Sequence, residues 1–294
     1  MINMQEFVSN SPFAKKIHVD ELLFAEFKCP LDEKTSSIWW HNNFFAHVLM
    51  GETTLKTPKQ EYTLKAGDSA FAKKGSVLTH NHVHEDFCEL LVFVPDEFIR
   101  TVTQKYKLPL TENVAHSDTD TVIVLDSDQI LQSYFQSLLT HFLQTTPPAG
   151  TLMKLKFEEL LLNILSGANH VPLKQYLSDV CRSTKPSIRE IMELNFFSNL
   201  SLEEFARLCS RSLSAFKKEF QEIYRTTPGR WLQEKRLEYC RYLLETTDIA
   251  LEDVCMESGF ENQSHFNRVF KNKYGIPPGK FKNEQGFSSV RKYY

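Results

Sequence analysis

"FNRVFKNKYGIPPGKF", Phe266 to Phe281, restates "FKKEFQEIYRTTPGRW", Phe216 to Trp231, at an offset of 50 residues. Phe216 falls on Phe266, Phe220 on Phe270, Tyr224 on Tyr274, Pro228-Gly229 on Pro278-Gly279 and Trp231 on Phe281. Lys218 falls on Arg268, and Arg230 on Lys280. Aromatic residues at i, i+4 and i+8 line one stripe of a helix, because 3.6 residues make a turn. The proline that follows suits the first turn of the next helix. Each copy has a similar lead-in. In the first, Ser201 and Glu204 have capping-box spacing, and Leu202, Phe205 and Leu208 recur at helical intervals before a polar break over 210–212. In the second, Leu251, Val254 and Cys255 form the stripe and Gly259 supplies the turn. Helix, short turn and helix, twice over, is a duplicated helix-turn-helix outline. Between the copies, "PGRWLQEKRLEYCRYLLETT" predicts one long amphipathic helix from Pro228 to about Thr246. Two such units held ~34 Å apart meet successive major grooves on one face of DNA.

Residues 187–286 resemble the DNA-binding domain of the AraC/XylS family of bacterial transcription regulators. The resemblance rests on "SLEEFARL", "RLEYCRYLL", "LEDVCMESGF" and "FNRVFKNKYGIPPGKF". It covers about a third of the chain. Three positions depart from the family pattern. Cys255 stands where alanine is usual, Ala250 where a Ser/Thr cap is usual, and Ser210 where the first turn often has glycine. The resemblance implies that the second helix of each unit enters the groove. Ser214, Lys217 and Lys218 are then the outward residues of the first unit, and Gln263, Ser264, His265, Asn267 and Arg268 those of the second. Gln and Asn pair bidentately with adenine, Arg and Lys with guanine. Lys271, with Gln221 and Lys273, is placed to touch phosphates, which adds affinity without sequence choice. A polar helix face is ordinarily just solvated; two phased units are what favour DNA contact here.

Charge alone does not announce a nucleic-acid binder. The net charge is -3, with 17 Lys/Arg against 15 Asp/Glu from Ser187 onward. Nine of the ten histidines precede that residue. The six cysteines are scattered without a C-x-x-C pair, which suits reduced thiols in a cytoplasm. No apolar run approaches the ~18 residues that span a membrane, and the first residues lack the core of a signal peptide.

From residue 36 to 100 the sequence predicts strands. "SSIWW", "FFAHVLMG", "ETTLKT", "EYTLKAGDSAFAKKGSVL" and "FCELLVFV" are punctuated by Gly51, Pro58, Gly67-Asp68 and Lys74-Gly75. This stretch resembles the cupin-like jelly roll that precedes many AraC-type domains, with Gly67 and Gly75 at matching turns. A barrel of that kind has a mouth that can hold a ligand. His80, His82 and His84 alternate, and with Glu89 they make a low-ranking metal set; the position matching the cupin motif's histidine is Leu78. No metal or other cofactor is expected. Trp39, Trp40 and His41 read as core more readily than as a pocket. Residues 128–145 and 151–166 have helical periodicity, and "TLMKLKFEELLLNILS" is more apolar than one neighbour requires. In the AraC-type family such helices follow the barrel and often mediate dimerisation, and "KFEELL" resembles a run in the N-terminal region of the ExsA-type subgroup.

The expected architecture is therefore two-domain. An all-β cupin-like jelly roll with appended helices precedes an all-α domain of two helix-turn-helix units joined by a long helix. The divisions are a sensor or regulatory domain over 1–125, a helical dimerisation segment over 126–180, a linker over 181–187 and the DNA-binding domain over 188–294. The expected function is a cytoplasmic, sequence-specific transcription regulator, an activator by family analogy and not an enzyme. Its partners are double-stranded promoter DNA, a second copy and RNA polymerase, with a small-molecule or protein effector. The rival is a cupin metalloprotein or metalloenzyme carrying a DNA-targeting domain. Walker A loops, Rossmann fingerprints and Ser/His/Asp motifs are not recognisable.

Overall fold

Continuous and alternating apolar runs sort the N-terminal strands into two facing sheets. The computed structural model describes residues 2–28, 36–81, 87–110, 120–126, 128–167, 169–183 and 185–283. The strands are β1 (Ile2–Asn3), β2 (Ala14–Val19), β3 (Leu22–Lys28), β4 (Ser36–Trp40), β5 (Asn43–Met50), β6 (Glu52–Lys56), β7 (Glu61–Lys65), β8 (Ser69–Ala72), β9 (Gly75–Asn81), β10 (Cys88–Val94) and β11 (Val122–Leu125). One sheet has the order β1-β4-β9-β6-β7 and the other β11-β8-β5-β10-β3-β2. The β1–β4 pair is parallel and the other ladders are antiparallel.

β10 explains its own uninterrupted apolar sequence. Leu91 and Phe93 face the core between the sheets, with Trp40, Phe44 and Ala46. Leu90, Val92 and Val94 face the opposite way, into a second core shared with helices. A strand buried on both faces carries no polar alternation. The helices of this unit are α1 (Met4–Asn10), α2 (Asp96–Tyr106), α3 (Gln129–Phe142), α4 (Gly150–Ser166) and α5 (Val171–Arg182). In α4, Met153, Phe157, Leu160, Leu161, Ile164 and Leu165 are consumed by this second core.

The structure differs from the sequence reading at three places. Strands begin before residue 36, because β2 and β3 turn through Asp20 at φ 51 with no Gly or Pro to mark the hairpin. Asp tolerates that left-handed backbone better than most residues. The strand run ends at Val94, and α2 takes over after Pro95 with Asp96 and Glu97 in its first turn, where acidic groups favour the helix dipole. α5 continues through Cys181 and Arg182, inside the stretch read as linker.

The chain divides into units Met1–Pro186 and Ser187–Tyr294. The second is all-α: α6 (Ile188–Asn195), α7 (Leu202–Leu208), α8 (Leu213–Tyr224), α9 (Pro228–Thr246), α10 (Leu251–Glu257) and α11 (Gln263–Tyr274), then a helical stretch over 278–283. β-rich sheets with appended helices before an all-α unit of two helix-turn-helices is the expected fold class. No helix among the described residues is long and apolar enough to cross a membrane.

Candidate nucleic-acid interface

The repeated phrase builds the same aromatic box twice. Phe220 lies 5.9 Å from Phe216, 4.5 Å from Tyr224 and 5.9 Å from Trp231, centroid to centroid. Phe270 lies 5.6 Å from Phe266, 4.6 Å from Tyr274 and 5.5 Å from Phe281. Phe216, Phe220, Phe266 and Phe270 are fully buried. Each recognition-type helix is 12 residues long and ends on a left-handed residue, Arg225 at φ 57 or Gly275 at φ 84. Both are entered through a side-chain cap: Ser212 accepts from Ala215 N, and Asn262 from His265 N. The capping box of Ser201 and Glu204 is formed. Ala250 gives α10 no side-chain cap. α9 spans its expected 19 residues, roughly 28 Å of rigid rod.

The two turns are not identical. Ser210 at φ 53 and Gly259 at φ 77 occupy equivalent places. Glu261 then lengthens the second turn by one residue before the Asn262 cap. A serine strained where glycine is at ease stores a small penalty. Ser210→Gly is therefore expected to stabilise the C-terminal unit by about 0.5–1 kcal/mol, read as a higher melting temperature of the full chain.

Every residue named as a DNA contact lies exposed on one of the two helices. Ser214, Lys217 and Lys218 project from α8, and Gln263, Ser264, His265, Asn267, Arg268 and Lys271 from α11. Ion pairing divides the cations of this unit. Arg211, Arg230, Lys235, Arg241 and Lys273 each pair with a glutamate. Lys217, Lys218, Arg268 and Lys271 have no acidic partner among the described residues. Lys273, a phosphate candidate from sequence, is held 3.4 Å from Glu238 Oε1 and is thus partly neutralised. Ser264, His265 and Arg268 also wall an open groove of about 790 Å³ between the two helix-turn-helix units. Asn199, Gln233 and Asn262 share that groove and were not foreseen. Asn199 and Gln233 lie outside the duplicated phrase, so only the tertiary arrangement brings them to the groove that Arg268 also lines.

The alternative site in the N-terminal unit takes a different form. His82 and His84 lie outside the described residues, as does the His80 side chain. Glu89 is on the side of β10 that faces the core between the sheets, in line with Leu91 and Phe93. It borders an apolar cavity of about 60 Å³ with Phe27, Trp40, Phe44, Thr53, Thr79 and Phe87. Burial there pushes its carboxyl up to about 8, because a charged form loses hydration without gaining a partner. Trp40 is core, as expected, and its indole N–H donates to Lys73 O at 2.6 Å.

Residues 43–176 match the family model described as the ExsA N-terminal regulatory domain. Residues 205–284 match a helix-turn-helix domain model. The virulence regulon transcriptional activator VirF of Yersinia enterocolitica is 26% identical over 233 residues, covering 79% of this chain and 85% of that one. The HTH-type transcriptional regulator ExsA of Pseudomonas aeruginosa is 25% identical over 246 residues, covering 83% and 86%. Among solved structures, an apo variant of ToxT from Vibrio cholerae aligns over 89% of this chain and 96% of its own, with 12% identity and a TM-score of 0.43.

Proposed function

The chain belongs to the AraC-type transcriptional regulators that carry an ExsA-like N-terminal domain, and we propose that it reads promoter DNA with α8 and α11 in successive major grooves. The carrying observation is the duplicated aromatic box, which seats two helices of equal length, with Lys217, Lys218, Arg268 and Lys271 projecting from them free of acidic partners among the described residues. Lys217 and Lys218 read bases in one groove, and Arg268 and Gln263 in the next. Lys271 holds phosphate. A base-reading side chain contributes ~1–3 kcal/mol at its own position, whereas a phosphate contact weakens all sequences alike. Arg268→Ala is therefore expected to relax base preference at one or two positions of the selected operator. Lys271→Ala should lower affinity across all sequences and flatten the salt dependence. A base-substitution scan of binding by each variant reads both outcomes. Unchanged preferences in Arg268→Ala would remove α11 from the reading.

By analogy with the transcriptional activator VirF, the regulator is an activator; as a reader of promoter DNA it works in the cytoplasm and engages RNA polymerase. Its N-terminal unit receives the signal, a small molecule or a protein. It also pairs two copies. The second-core packing of α4 leaves Leu152 and Leu155 exposed, at 40% and 51%. Leu162 is half-buried two turns from Leu155 on the same side. An apolar strip of this kind on a helix suits a partner surface. Charged replacements at Leu155 and Leu162 are expected to convert a dimer to monomer in sedimentation. An unmutated chain that stays monomeric at every concentration would end the dimer reading.

A further inference from the structure

If each recognition helix reads its own groove, something must set the angle and distance between them. α9 alone is a single rod joined to each unit at one end. A second connection crosses the middle of the C-terminal unit. Arg236, on the buried side of α9, donates from Nε to Phe196 O at 2.7 Å and from Nη2 to Ser198 O at 2.6 Å. These carbonyls belong to the loop that leads into α7 and the first helix-turn-helix. The turn of the second unit closes on the same loop. A Cβ at Gly259 would sit 2.8 Å from the Phe197 carbonyl carbon and closer still to its oxygen, with Arg236 Nε at 3.1 Å. Glu261, the residue that makes the second turn longer than the first, accepts from the Asn199 side chain. Burial lowers the Arg236 guanidinium to about 10, with the Glu261 charge opposing that shift. A rigid, planar fork that bridges two carbonyls fixes orientation in a way that one point charge does not.

We infer that Arg236 is a positioning residue: by clamping the Phe196–Ser198 loop beside the Gly259 turn, it sets the register between the two recognition helices and hence the operator spacing the protein accepts. The inference rests on the two-groove reading. Without the clamp, the units remain folded on their aromatic boxes but pivot about α9, so spacing is what changes.

The test uses the full chain and the duplex it selects from a random-sequence pool, together with two relatives of that duplex having one base pair added or removed between the two blocks of base preference. One base pair turns one block by roughly 34° relative to the other. Wild type is expected to lose at least about tenfold in affinity on either altered duplex, since the base contacts of one helix are forfeited. Arg236→Met and Arg236→Lys should discriminate among the three duplexes by roughly threefold or less, with base preferences inside each block and the salt slope unchanged. Equal weakening on all three duplexes with a shallower salt slope would make Arg236 a phosphate contact and overturn the inference, as would unaltered discrimination. Should Arg236→Met lose its helical circular dichroism, Asn199→Ala takes its place; reduced spacing discrimination supports the clamp and full discrimination overturns it. A wild-type scan showing a single block would instead sink the two-groove reading, and this inference with it.

Discussion

Gly259→Ala is expected to destabilise the C-terminal unit by roughly 2–4 kcal/mol. Two effects add. At φ 77 an L side chain is strained, which costs about 1 kcal/mol. The added methyl also meets backbone rather than a movable side chain, since the Phe197 carbonyl lies where the Cβ would go. That carbonyl cannot withdraw without disturbing Phe196 O and Ser198 O, the acceptors of Arg236. The loss is expected as a lower thermal midpoint for the helical signal, with DNA binding reduced in parallel. An alanine variant within about 0.5 kcal/mol of wild type would show that the turn has room the structure does not show. Ser210, at the equivalent turn, supplies the contrast: there a side chain is already tolerated.

The second large effect concerns the N-terminal unit and pH. Glu89 is held neutral by burial, with its carboxyl at about 8 against an ordinary value of 4.5. The folded state therefore binds more protons than the unfolded state between these values. Its contribution is fully present below about pH 4.5 and is lost as pH rises through about 8. Each unit of that interval is worth ~1.4 kcal/mol, so the total is on the order of several kcal/mol. Glu89→Gln keeps the shape and removes the ionisation. It is expected to match wild type near pH 5 and to exceed it clearly at pH 8, with hydrogen exchange across Cys88–Val94 as the local readout. His47 pulls the other way on the acid side: burial lowers its pKa, so the fold weakens as pH falls below about 6.5. Comparing wild type with variant at the same pH cancels that contribution. Equal protection of the two proteins at pH 8 would contradict a buried neutral acid.

The C-terminal unit was legible because its sequence writes each physical requirement in a recognisable residue. The Phe216/Phe220/Tyr224 and Phe266/Phe270/Tyr274 stripes, the Ser201–Glu204 box and the Pro228 start all act within a few residues of themselves, so local pattern and final structure agree. The strain at Ser210 was visible only as a departure from a family pattern. The N-terminal unit was less legible. Asp20 turns a hairpin without a glycine or proline, so β2 and β3 carried no punctuation. In α4, apolar residues for the second core and those left exposed alternate within one helix, and only the packing separates Leu160 and Ile164 from Leu152 and Leu155. Arg236 was invisible as a clamp, because its acceptors are backbone carbonyls about 40 residues away, and carbonyls have no sequence signature. Asn199 was hidden in a similar way, because its partner Glu261 lies 62 residues away.

Two grooves read by one chain is the property on which the proposed function depends. The most direct measurement is a base-pair substitution scan of wild-type binding, combined with footprinting, on the duplex selected from a random pool. Two blocks of base preference are expected, centred about 10–11 base pairs apart on one face of the duplex, with protection running through the phosphates between them. A single block of preference, or a protected site shorter than one helical turn, would contradict it.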